Sequence, residues 1–197
     1  MKTTLFTPDL LKLADANGET YIGGSQDWYE DRWHKMSGCG PVAASNLVWY
    51  MTRPKGGKEQ YLLLMREMYT YFVPGMRGIN TSTLFSEGIM RYLTKNELRA
   101  VPQVLDIPLR QRKRPDIDIV RDFVLSALHL DAAVALLCLS NGTVRNLENW
   151  HWVTIITLDA DTMQAEICDY GKVLEIDISE WLNTSNLGGA LVYLKSH

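Results

Sequence analysis

From about residue 40 onward, the hydrophobic positions follow first a helical and then a strand period. Ala43, Leu47, Tyr50 and Met51 share one face of a helix opened by Gly40-Pro41, proline being suited to a first helical turn. A broader stripe of Tyr61, Leu64, Met65, Met68, Tyr69 and Phe72 predicts a second helix, stopped by Pro74-Gly75. A third follows Thr81-Ser82 and turns Leu84, Phe85, Ile89, Tyr92 and Leu93 inward. Arg99 to Asp106 reads as a strand and Arg110 to Arg114 as a solvated basic loop. A fourth helix starts near Pro115-Asp116 and buries Val120, Val124, Ala127 and Leu128. After His129 the runs shorten to β-type segments: Ala132 to Leu139, His151 to Leu158, Gln164 to Asp169, Val173 to Ile178 and Ala190 to Lys195. Turn residues separate them, at Asn141-Gly142, Asp159 to Asp161, Tyr170-Gly171 and Gly188-Gly189. The first forty residues have no steady period and are expected to be irregular, with at most a short helix. Helices followed by strands predict an α+β domain, a helical part packed on a largely antiparallel sheet.

At 197 residues the chain is expected to form one domain over 1–197, since domains typically span about 100–200 residues. With 46% hydrophobic and 22% charged residues it is neither disordered nor fibrous. Twenty basic and 23 acidic side chains leave a net charge of −3, which gives no electrostatic footprint for nucleic acid. Apolar stretches such as Ala132 to Leu139 are far shorter than the roughly 20 residues of a membrane span, so no membrane partner is expected. Met1 to Leu13 carries lysines at 2 and 12 and is broken by Pro8-Asp9, so it lacks the continuous apolar stretch of a signal peptide, which points to a cytoplasmic location. The three cysteines are then expected to be reduced thiols.

The chemistry concentrates at Ser37-Gly38-Cys39-Gly40-Pro41, where a cysteine opens a helix. A helix N-terminus carries partial positive charge and free N–H groups, both of which favour a thiolate. The flanking glycines remove bulk that would hinder an approaching carbonyl. Taken alone, the same pattern also fits a small buried residue in a tight turn. A thiolate nucleophile needs a base, and the chain has four histidines. His197 is terminal, His129 closes a helix, and His34 lies in a stretch without a predicted rigid element. His151 opens the apolar run Trp150 to Ile156, where a strand end makes a rigid platform. One hairpin later, Asp169 closes the next strand and can reach the imidazole, fixing its tautomer and stabilising its charged form. Its alternative role is to cap the turn at Tyr170-Gly171.

These motifs resemble those of the papain-like cysteine peptidases, and among them the peptidase domains of bacteriocin-processing exporters and their stand-alone bacterial relatives. The matching pieces are Gly38-Cys39-Gly40-Pro41 with Ala43 and Ala44, Trp150-His151-Trp152-Val153, and Cys168-Asp169-Tyr170-Gly171. Glu180-Trp181 and Gly188-Gly189-Ala190 also look like that family's end. The resemblance implies a papain-like fold, with Cys39 as nucleophile, His151 as general base and Asp169 as orienting acid. It also implies a glutamine ahead of the cysteine for the oxyanion. Gln26 is the candidate, at thirteen residues upstream farther from the cysteine than the family usually has it; Asn17 is the alternative. Residues 55–98 look like a helical insertion. The implied activity is a cysteine peptidase or related amide hydrolase acting on a peptide or protein through an acyl-enzyme, with no cofactor or metal.

Two rival readings remain open at the level of sequence. One is acyl transfer, as in transglutaminase-like relatives, where an amine or thiol replaces water. The other is a binding module without turnover, against which the complete Cys, His and Asp set argues. Cys138 reads as an inert core thiol, and Cys168 as facing away from Asp169. A zinc site from Cys39, His34, Cys168 and Asp169 has no paired ligand spacing to support it. Trp28, Trp33, Trp150 and Trp152 fit a cleft lining and a core equally well.

Overall fold

In the computed structural model, which describes residues 1–196, the chain begins with three short strands, β1 (Lys2–Thr4), β2 (Lys12–Ala14) and β3 (Thr20–Ile22). Helices α1 (Arg32–Ser37), α2 (Cys39–Thr52), α3 (Lys58–Thr70) and α4 (Ser82–Lys95) follow. Then come β4 (Ala100–Ile107), α5 (Ile117–His129), β5 (Val134–Cys138), β6 (His151–Asp159), β7 (Gln164–Asp169), β8 (Lys172–Asp177), α6 (Ile178–Thr184) and β9 (Gly189–Ser196). The result is a mixed α+β fold.

The main sheet runs β4-β9-β5-β6-β7-β8, with β1 paired to the far half of β6, and its pairings are antiparallel. β2 and β3 form a separate hairpin. β7 and β8 are joined by Tyr170-Gly171, whose φ values of 46° and 74° are both left-handed, as a two-residue type I′ turn requires. Between β6 and β7 the register slips by one residue from Ile155 to Thr157, a bulge on β6.

Helices cover both faces of this sheet. Thr154 of β6 accepts a hydrogen bond from Asn46 of α2 at 3.0 Å, which puts α2 on one face. Tyr193 lies opposite Val134, which lies opposite Ile155; its ring meets Phe123 of α5 at 5.1 Å on the other face. α2 is buried almost all round, the mark of a central helix rather than a surface one. In α5 the expected stripe of Val120, Val124, Ala127 and Leu128 is buried.

Several expectations are corrected. The first forty residues hold, besides the short helix that the sequence allows, three strands that it does not predict. Each strand is only three residues long, too short to show a period, and β1 exists because β6 offers it a partner. Leu84 does not turn inward but is 38% exposed, while Phe85, Ile89, Tyr92 and Leu93 form the buried face of α4. α6 follows β8 directly, with the Asp177 side chain capping the Glu180 N–H. The basic run is not wholly solvated. Arg114 turns in and donates to the carbonyls of Pro108, Leu182 and Ser185 at 3.0, 2.6 and 2.9 Å. Partial burial lowers its pKa from the ordinary value.

Candidate active site

Cys39 is the first residue of α2, immediately after Gly38 ends α1. The first N–H groups of a helix have no intrahelical acceptor, so the start of α2 is electropositive beside the sulfur. The neighbouring glycines have a different reason from the one expected. A Cβ on Gly38 would lie 2.5 Å from the His34 carbonyl oxygen and from the Tyr29 ring. One on Gly40 would lie 3.0 Å from Cβ of Ile79. They let the protein's own chain close around the head of α2, rather than leaving open space for a substrate.

His151 starts β6 and Asp169 ends β7. His151 Nε2 and Asp169 Oδ1 are 2.8 Å apart, and both residues are buried, at 4% and 8% exposed. With Nε2 engaged, Nδ1 is the nitrogen left for Cys39, which stands beside the ring. Burial opposes the imidazolium, but the hydrogen bond to Asp169 and the adjacent Cys39 outweigh it and push the His151 pKa up to about 10. Above this pair, the Tyr170 ring stacks on His151 with centroids 5.4 Å apart and planes 11° from parallel.

Gln26 reaches the same place in spite of its distance in sequence. The intervening residues fold back through a single turn at Gln26–Trp28 and then α1. The strap that carries Gln26 is fastened to the turn after Asp169. Ile22 N–H donates to the Gly171 carbonyl at 2.8 Å, and Gly171 N–H to that of Gly24 at 3.1 Å. Gly24 N–H donates to Asn46 Oδ1 at 2.9 Å. Gln26, Cys39 and His151 then line one cleft of about 480 Å³, with Trp33, Arg77 and Trp150 on its walls. The Arg77 guanidinium lies 5.2 Å from the Trp150 ring centroid.

The other candidates go elsewhere. His34 sits on α1 with its ring 3.9 Å from that of Tyr69, away from the cleft lining. Asn17 is an exposed turn residue whose N–H donates to Asp15. His129 ends α5, and His197 lies outside the described residues. Cys138 is buried, its thiol pKa pushed up to about 12, and burial pushes Cys168 higher still. Cys168 faces away from Asp169, as strand alternation requires. No group of three or more His, Cys, Asp or Glu side chains suited to a metal ion occurs among the described residues, so the zinc grouping is not assembled. Trp33 and Trp150 belong to the cleft, whereas Trp152 is 2% exposed and stacks on Phe85.

Sequence reasoning missed Asn46 and Tyr170. Asn46 is a buried amide whose Oδ1 accepts from Gly24 and Tyr61 and whose Nδ2 donates to Thr154. An amide side chain inside a helix that is otherwise almost wholly apolar was the available signal. No protein-family model matches the chain, and no curated protein matches it either.

Proposed function

We propose that this protein is a cysteine peptidase or closely related amide hydrolase on a papain-like fold. The observation that supports it best is the 2.8 Å His151–Asp169 hydrogen bond, with Cys39 beside the free side of the imidazole at the floor of a cleft. In this reading the Cys39 proton passes to His151 Nδ1, and the sulfur bonds to the substrate carbonyl carbon. The oxygen takes up the carbonyl π pair, held by the Cys39 backbone N–H and the Gln26 amide. As the C–N bond breaks, the imidazolium gives its proton to the leaving amine. Water then attacks the thioester with His151 as base, releasing the acid and restoring the thiol. Asp169 keeps the ring oriented and stabilises its charge while remaining a carboxylate itself. The steps call for no cofactor. The substrate class proposed is a peptide or protein segment bound in the cleft of about 480 Å³.

p-Nitrophenyl acetate tests the chemistry. A burst of nitrophenolate, a transient acetyl group on Cys39 seen by mass spectrometry, and loss of both in Cys39→Ala are expected. Cys39-dependent new N-termini in a mixed peptide digest would extend the result to amides. An unmodified Cys39, or acetylation at another residue, overturns the reading.

A further inference from the structure

We propose that Tyr170 is a positioning residue that holds the base and the oxyanion donor in fixed relation to one another; this rests on the hydrolase reading above. Three observations carry it. First, its ring is stacked on the His151 imidazole, 5.4 Å centroid to centroid and 11° from parallel, on a ring whose edge is already fixed by Asp169. Edge and face together leave the imidazole a single orientation. Second, the Tyr170 hydroxyl accepts from Gln26 Nε2 at 3.1 Å and donates to Glu148 at 3.2 Å. A carboxylate only accepts, so the phenolic proton goes to Glu148, and the phenol oxygen then requires the amide nitrogen of Gln26, not its oxygen. One N–H of Gln26 is thereby used to anchor the side chain, and the second is left for a substrate oxygen. Gln26 Oε1 is buried without a partner, so among the described residues Tyr170 alone selects this amide orientation.

Third, the residue is placed against its backbone preference. Tyr170 has φ 46° at the first position of a type I′ turn, where Asn, Asp and Gly are at ease and an aromatic residue is not. Turn geometry alone would select asparagine there. The tyrosine is explained by what its ring and hydroxyl touch, and its place directly after Asp169 lets one turn set three groups. Without the ring, His151 can tilt about its single bond to Asp169. Without the hydroxyl, Gln26 loses its only side-chain anchor among the described residues and its N–H no longer waits in place.

Two variants separate the two contacts. Tyr170→Phe keeps the stack and removes the anchor; Tyr170→Leu removes both. Two probes are used, iodoacetamide, whose reaction with Cys39 forms no oxyanion, and p-nitrophenyl acetate, whose reaction does. Tyr170→Phe should alkylate with the parent's rate and pH profile, yet lose about ten- to a hundredfold in ester turnover. Gln26→Ala should lose a similar or larger factor, and the double variant Gln26→Ala/Tyr170→Phe no more than Gln26→Ala alone, since both act through one amide. In Tyr170→Leu the alkylation pH profile itself should move. Parent-like ester turnover in Tyr170→Phe, losses that multiply in the double variant, or a superimposable alkylation profile in Tyr170→Leu each overturn the proposal. If the parent shows no Cys39-dependent ester turnover, the hydrolase reading falls and takes the Gln26 half with it. The alkylation profile of Tyr170→Leu still decides the His151 half on its own.

Discussion

Asp169 holds His151 by Nε2, not Nδ1, so the imidazole offers Cys39 the nitrogen nearer its own backbone. That arrangement makes the proton on the ring a stability device as well as a catalytic one. The folded pKa of about 10 lies above the ordinary 6.5, so the protonated ring contributes fully below about pH 6.5, and its contribution is lost as pH rises towards 10. Urea midpoints of the parent should therefore fall across that range more steeply than those of His151→Asn. Parallel slopes would show that folding does not bind a proton at this ring.

The three thiols should separate sharply in reactivity. All three are buried, but Cys39 alone of them lines the cleft, whereas burial raises the pKa values of Cys138 and Cys168. Brief iodoacetamide treatment of the folded protein, followed by peptide mapping, should label Cys39 almost alone. His34→Ala should leave that rate within about twofold, as its ring packs on Tyr69 rather than at the sulfur. His151→Ala should slow it strongly. Equal labelling of all three thiols, or a reversed histidine ranking, would count against the arrangement.

Asn46 should be the costliest polar residue of α2 to remove. Its three hydrogen bonds, at 2.9, 2.6 and 3.0 Å, serve Gly24, Tyr61 and Thr154, all inside the protein. Asn46→Ala leaves the Gly24 N–H and the Thr154 hydroxyl without that partner and Tyr61 with only its 3.4 Å contact to the Val42 carbonyl, a loss of about 3 kcal/mol in denaturant unfolding. Because Gly24 leads into the Gln26 strap, ester turnover should fall as well, while alkylation of Cys39 changes less. A loss below about 1 kcal/mol would mean that water replaces the amide easily.

Arg114→Lys should destabilise despite keeping the charge. The guanidinium spans carbonyls in the segment after β4 and at both α6 and the turn beyond it. A lysine ammonium cannot fork across them, so a loss of about 1–2 kcal/mol is expected by the same measurement. No change would show that the carbonyls are as well served by solvent.

Long periodic segments were the legible part of this chain. The apolar stripe of α5 and the β-type run from His151 each report a buried face many residues long, and both are found within a residue or two of their expected bounds. The three-residue strands and α6 were not legible because their reasons lie elsewhere, in a partner strand or a cap, not in a period. At the candidate site, Cys39, His151 and Asp169 could be picked out because helix and strand ends mark where side chains leave the packed layers. Gln26 needed a fold-back that no local pattern encodes. Asn46 and Tyr170 carry their meaning only through residues remote in sequence, and so gave no signal strong enough to act on.

The bulge on β6 has an arithmetic consequence. On antiparallel strands, residues directly opposite share a side of the sheet. Past the slip, Thr157 opposes Glu166; before it, Thr154 opposes Cys168. Carried through without the extra residue, the first register would set Asp169 opposite Thr154, and its carboxylate would leave the sheet on the side of Asn46, with His151 on the other. One surplus residue switches odd for even and brings imidazole and carboxylate to the same side. Deleting Ile156 would therefore leave every named side chain in the chain and both strands able to pair, and yet part the two groups by the full thickness of the sheet.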